Sequence, residues 1–401
     1  MRVDYAVEGS VRRQGQELRV SARLLRTRDG AQLWAGSYDR RLADVLAVQR
    51  EVGEKIARAL ALHVLPEPLA GGGADPRAYE AYLRGRHLLS RRGGRDPAAA
   101  LRWLEQAVEI DPAFADAWVG LARALRSRLP PRQGIGRVRE ALERALALDD
   151  GSAPAHLMAA QVAFYYDWDL ESSGRHYRRA LEIHPAYAEA HHAYAAWFSV
   201  QGRHEEALAE VERALSLDPL SPMVVSDVGW YRYFAGDWDG AVEASRRTLE
   251  QAPGFFWARR SLLLALMAAG DLEGAATEAR REMEADGGVA RAATALRLAR
   301  RDLETAPQPA AALDAYWRWR LAERGAEAEE GYVSPAFFAD LHMARGDREA
   351  ALAALERAFE ERSGWILPFL TVHPLYAPLR TDPRFQDLLD RIGIERSAPT
   401  G

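Results

Sequence analysis

Along residues 18–24 apolar and polar side chains alternate, Leu18, Val20, Ala22 and Leu24 being separated by Arg19, Ser21 and Arg23. A period of two belongs to a strand with one buried face, so strands are predicted over about 5–36, turning at Gln14-Gly15 and Asp29-Gly30. The pattern then changes. Leu42, Val45, Leu46, Val52, Ile56 and Leu60 recur mostly at steps of three and four, which predicts one amphipathic helix over about 42–63. Residues 65–76, with their prolines and Gly71-Gly72-Gly73, read as a linker. Beyond them small residues fall into a long register. Pro185, Pro219 and Pro253 stand 34 residues apart, with Pro112 earlier in the chain. Counting Pro219 as position 32 of a unit puts Ala195, Gly202, Ala207 and Ala214 at positions 8, 15, 20 and 27, and Gly229, Gly236, Ala241 and Thr248 repeat that set before Pro253.

Two helices of a hairpin come close only where their facing side chains are small, and a 34-residue helix-turn-helix period is that of the tetratricopeptide repeat. Trp118-x-x-Leu121-Ala122 opens another unit, and the 38 residues from Pro112 to Asp150 imply an insertion around Leu129–Gly134. Repeats are predicted at about 81–114, 115–153, 154–187, 188–221, 222–255 and 256–289. A degenerate helical pair follows, then a unit around Gly346, Ala351, Leu355 and Ala358. Asp382 is placed to cap a last helix starting at Pro383, with Phe385, Leu388, Leu389 and Ile392 on one face to shield the end of the stack. The expected fold is mainly all-α, a right-handed superhelix of helical hairpins preceded by a small, partial α+β module. The expected domains are 1–64, a linker at 65–76, the solenoid at 77–365, and capping helices with a tail at 366–401. Because each repeat touches only its neighbours, 401 residues need not mean several domains.

Composition changes this picture little. The chain has no cysteine, so disulfides, thiolate metal sites and thiol catalysis are excluded. Lys55 is the lone lysine, asparagine is absent, and the net charge of −5 comes from arginines interleaved with acids. That pattern suits solvated helix faces and coding bias, and argues against direct nucleic-acid binding. No apolar run approaches the roughly 20 residues of a membrane span, and Met1-Arg2-Val3-Asp4 does not begin a signal peptide.

Four stretches resemble, in order, a family of bacterial regulators in which a TolB-like domain precedes tetratricopeptide repeats: residues 5–13 (Tyr5-Ala-Val-Glu-Gly-Ser-Val-Arg-Arg), 31–40 (Ala31-Gln-Leu-Trp-Ala-Gly-Ser-Tyr-Asp-Arg), 78–86 (Ala78-Tyr-Glu-Ala-Tyr-Leu-Arg-Gly-Arg) and 378–385 (Pro378-Leu-Arg-Thr-Asp-Pro-Arg-Phe). The resemblance implies an effector ahead of the TolB-like part, often a winged-helix DNA-binding domain or a nucleotide cyclase. This chain lacks that effector and the early strands, and a sheet module of some 60 residues hides too little surface to be self-sufficient. The module is therefore expected to be incomplete at its front. A cytoplasmic protein is expected, or a periplasmic one if a membrane span precedes this segment.

Candidate chemistry is sparse. No phosphate-cradling G-x-x-x-x-G-K-[ST], nucleophile elbow G-x-S-x-G or zincin H-E-x-x-H occurs. His176, His184, His191 and His192 read as packing or surface positions, and Asp167-Trp168-Asp169 as an inter-helix turn. No catalytic residue, cofactor or metal is expected. First helices of such repeats line a groove at positions 2, 5, 9, 12 and 13, which here hold Met158, Tyr165, Tyr166, His192, Trp230, Tyr233, Phe234, Trp257 and Arg260. Tyr165 and Tyr233 are the members most apt to pack between helices instead. Aromatic and arginine side chains concentrate binding energy, so the expected partner is a protein or extended peptide segment, with Arg260 beside Trp257 seeking acceptors. A chaperone-type carboxylate clamp needs asparagines, and there are none.

Overall fold

The computed structural model describes residues 5–14, 17–26, 32–41, 74–90, 96–128, 131–219, 221–285, 294–363 and 365–393. Chain contacts divide it into two compact units, 1–74 and 75–401. The expected helix over 42–63, the turns at Gly15 and Asp29-Gly30, and the linker before Ala74 lie outside the described residues.

In the first unit β1 (Tyr5–Gln14), β2 (Glu17–Arg26) and β3 (Gln32–Arg41) form an antiparallel sheet in that order. The alternation in β2 sends Ala22 and Leu24 to the buried face, where Tyr38 of β3 joins them. β3 runs five residues past the expected end at 36 because Glu17 to Arg19 pair with Asp39 to Arg41.

The second unit is a run of helical hairpins. α1 (Pro76–Ser90) packs on α2 (Pro97–Ile110), α3 (Ala115–Arg128) on α4 (Pro131–Leu148), α5 (Ala153–Val162) on α6 (Leu170–Ile183), α7 (Ala188–Ser199) on α8 (His204–Leu217), α9 (Pro222–Phe234) on α10 (Trp238–Gln251), and α11 (Phe256–Ala268) on α12 (Leu272–Ala285). First helices lie side by side, α1 with α3, α3 with α5, α7 with α9 and α9 with α11. This is a tetratricopeptide-type α-solenoid. The first hairpin begins at Pro76, ahead of the expected boundary at 81, since Asp75 takes the free backbone N–H of Arg77 at 2.8 Å and starts the helix early. The four extra residues before Asp150 lengthen α4 to 18 residues, against 14 in α6, α8 and α10.

Two local devices repeat. Gly202, Gly236, Gly270 and Gly346 close their first helices at φ between +72° and +81°, and the next residue's N–H reaches back, as from Asp237 to Arg232 C=O at 3.0 Å. This is the left-handed termination that glycine permits without steric cost. Between hairpins, the carbonyl that ends one unit accepts a side-chain bond from six residues later: Trp118 Nε1 on Pro112 (2.9 Å), His156 Nε2 on Asp150 (2.9 Å), His191 Nε2 on Pro185 (3.0 Å) and Arg259 Nη2 on Pro253 (2.7 Å). His191 is thereby accounted for as a structural donor.

α13 (Thr294–Thr305) and α14 (Pro309–Glu330) form the irregular pair, and α15 (Pro335–Ala344) with α16 (Arg348–Glu360) the last hairpin. Beyond it the chain does not continue as stacked helices. It makes two 3₁₀ turns, Leu367–Phe369 and Pro374–Leu379, before α17 (Pro383–Ile392), whose Phe385, Leu388, Leu389 and Ile392 are buried. No described helix is long and apolar enough to cross a membrane.

Candidate partner-binding groove

Of the aromatic residues read from the repeat register, Trp230, Tyr233, Phe234 and Trp257 are brought together with the chain's own C-terminal segment. Trp230 and Phe234 are one helical turn apart on α9 and stack with ring centres 5.1 Å apart, and Tyr233 is 5.4 Å from Trp230. Against them pack Phe369, stacked on Phe234 at 5.3 Å, and His373, edge-on to Trp230, Tyr233 and Phe234 at 5.2–5.6 Å. Trp365 stands edge-on to Trp257 at 5.3 Å. Phe164, in the π-helical turn Ala163–Asp167 that follows α5, meets Phe369 at 6.0 Å.

At the centre is a buried ion pair. Arg260 of α11 donates from Nη2 to Asp340 Oδ2 of α15 at 2.5 Å, and Tyr376 donates its hydroxyl to Asp340 Oδ1 at 2.6 Å. The register places Arg260 beside Trp257, but its guanidinium lies 4.6 Å from the Trp230 ring and 5.1 Å from Trp365. Its acceptor, Asp340, belongs to the same chain. Burial raises the pKa of Asp340, while Arg260 and the Tyr376 hydroxyl act against that shift. His373 has no exposed surface. Its Nδ1 accepts the Leu375 N–H at 3.1 Å and its Nε2 has no hydrogen-bond partner. Burial first, then the cations Arg260 and Arg380, hold its pKa well below 6.5.

The other register residues sit apart from this cluster. Met158 is buried in the core of the first two hairpins, with Tyr166 packed against the same core. Tyr165 packs on the main core, where burial, with Asp227 adding, raises its pKa. His192 shares a 2.6 Å hydrogen bond with Asp227. Burial disfavours its charged form, but Asp227 and Glu189 outweigh that and raise its pKa. The turn expected at Asp167-Trp168-Asp169 is present, and Asp169 caps α6.

Ile366, Leu367, Phe369, Leu370, Tyr376 and Leu379 are at most 5% exposed. At about 1.5–3 kcal/mol for each large apolar side chain, their burial is worth on the order of 10 kcal/mol, an upper estimate because unfolded chains are partly collapsed. A peptide of micromolar affinity brings roughly 8 kcal/mol, so to occupy this part of the face it would have to replace a comparable amount of burial. The cavity beside Arg260, lined by Phe256, Tyr316, Arg320 and Asp340 among others, holds only about 20 Å³, room for about one water. Among the described residues no three His, Asp or Glu side chains converge as a metal site.

Asp340, Trp365, Phe369, His373 and Tyr376 lie outside the repeat register, yet the sequence carries a signal for most of them. Four aromatic or heteroaromatic rings recur at three- and four-residue steps where Pro368, Pro374 and Pro378 prevent a regular helix. Such a stretch must bury its rings against something outside itself.

No family model matches the chain. Over 124 residues it is 36% identical to the putative adenylate cyclase 3 of Rhizobium meliloti (strain 1021), a match that takes in 30% of this chain and 21% of that protein. The chain thus matches about a fifth of this curated relative's length. Among solved structures, PilW, a type IV pilus biogenesis factor, overlays 54% of this chain and 97% of its own at 17% identity and a TM-score of 0.46. TTC0263, a tetratricopeptide-repeat protein of Thermus thermophilus, overlays 47% of this chain and 99% of its own at 22% identity and a TM-score of 0.41.

Proposed function

We propose that the chain is a non-enzymatic protein-interaction scaffold, the sensory or adaptor part of a bacterial regulatory system, in which a partial TolB-like module (1–64) is joined by a linker (65–76) to a repeat solenoid. The observation that carries this reading is the inner face of first helices, built from rings and arginines, part of which already grips an irregular, aromatic-bearing segment of chain. A surface that accommodates irregular backbone through ring contacts suits an extended protein segment better than a small substrate. The immobilised chain is expected to retain a discrete set of proteins from bacterial lysate, competed by the soluble chain, and to turn over neither ATP nor GTP. Turnover of either nucleotide, or retention no greater than that of an unrelated helical protein, overturns the reading.

A second reading takes the chain as the C-terminal part of a larger transcriptional regulator or nucleotide cyclase. The 36% identity to a protein named as a putative adenylate cyclase favours it. Fusing the chain behind a catalytic cyclase domain and measuring cyclic nucleotide output with and without partner would separate the two readings.

A further inference from the structure

The chain's own segment fills the inner face only from Phe164 and Trp168 onward; Arg362, at its front, donates to the Tyr166 carbonyl at 2.7 Å. Ahead of that point the first helices carry a different chemistry from the filled part. Tyr82 on α1, with Arg86 5.4 Å from its ring, is half-buried. Arg123 and Arg126, three residues apart on α3, lie on one helix face. Arg123 touches both oxygens of the exposed Glu189 at 3.3 Å. Arg126 is half-buried, and the groups it acts on are the hydroxyls of Tyr165, Tyr166 and Tyr177. Among the described residues no carboxylate forms a hydrogen bond or ion pair with it.

A guanidinium drawn partly out of water beside tyrosine rings gains from any carboxylate that can reach it. Two carboxylates share this face: Glu189 contacts Arg123, and Asp116, whose pKa burial and then Asp149 raise, feels the charge of Arg86; neither forms a hydrogen bond or ion pair with Arg126. Resting on the scaffold reading, we infer that the Tyr82, Arg86, Arg123, Arg126 and Tyr166 face is the docking site of the chain, and that its occupant is an extended segment of another protein carrying Asp or Glu side chains between apolar ones. Carboxylates pair with the arginine forks, and apolar side chains lie on the tyrosine rings.

The test uses the full chain and a fluorescein-labelled twelve-residue peptide containing four glutamates and two phenylalanines, beside the same peptide with the glutamates changed to glutamine or to lysine. Fluorescence anisotropy is expected to give a Kd for the glutamate peptide about tenfold below that of the glutamine peptide, a preference that shrinks with salt. Arg126→Gln is expected to abolish the difference while the helical melt stays put. If all three peptides bind alike, or Arg126→Gln leaves the preference intact, the acidic-segment proposal fails and the scaffold reading survives. If only the lysine peptide binds, the proposal also fails. If no peptide binds at all, the acidic-segment proposal fails, and the scaffold reading stands or falls on the lysate retention.

Discussion

The Arg362 guanidinium lies 4.7 Å from the ring of Trp168, and among the described residues these two are the non-glycine positions with left-handed backbone, at φ 48° and 58°. Trp168 occupies the turn position that Gly202, Gly236 and Gly270 hold in the next three hairpins. A non-glycine residue there costs about 1 kcal/mol or more. The offset is tertiary: the indole stacks on Phe359 at 5.1 Å and an 18° tilt, and is buried.

Trp168→Gly removes the strain together with that stack. Deleting a buried tryptophan costs about 3–5 kcal/mol, so a net loss of about 2–4 kcal/mol is expected in urea unfolding. A variant as stable as the wild type would mean that the turn, not the stack, governs this position.

Arg260→Met leaves Asp340 buried with only the Tyr376 hydroxyl, a loss of about 3–5 kcal/mol. Arg260→Met with Asp340→Leu restores much of it, because neither charge then remains buried alone. Asp340 already has a raised pKa through burial, and losing Arg260 raises it further. Its unfolded counterpart ionises near 3.8, so the single variant should be less stable at pH 8 than at pH 5 relative to wild type. Equal stability of the two variants by thermal and urea unfolding would argue against a coupled pair.

His373 gives the opposite slope. Its pKa is depressed in the fold by burial, Arg260 and Arg380, while the unfolded residue binds a proton near 6.5. Acid therefore favours the unfolded chain, and stability should fall below about pH 6.5 by at most roughly 1.4 kcal/mol per pH unit. Asp340 and Tyr376, on the elements packed around it, are tied to each other, and His192, with its raised pKa, contributes the reverse sign. The comparison that isolates the effect is wild type against His373→Phe between pH 7.5 and 5, followed by urea unfolding with tryptophan emission. The variant should show the shallower loss.

Ala207 has no exposed surface in α8, which packs on α7. Ala207→Leu forces methylenes between two close helices and is expected to cost about 1–3 kcal/mol in thermal unfolding. An unchanged melting temperature would show that this contact is looser than the geometry indicates.

The repeat register was legible because its causes are local. Small residues at the close approaches, glycine at most of the left-handed turns and proline after most of the second helices act within one hairpin or its neighbour, so they recur mainly every 34 residues and are visible without coordinates. The same periodicity picked out Trp230, Tyr233, Phe234, Trp257 and Arg260 as a set on first helices, and they are neighbours in space.

What faces that set was not legible, because the contacts that decide it are not periodic. Arg260 meets Asp340 across 80 residues, and Arg362 meets Tyr166 across 196. Nothing in a repeat specifies which later segment returns to cover it; that is decided by the whole chain, through closing a long loop against burying Ile366, Phe369 and Tyr376. The sequence by itself thus determined the hairpins, their spacing and the ring-bearing face. Only the tertiary structure decided that the latter part of that face belongs to the core, because burial depends on contacts between elements far apart in the chain.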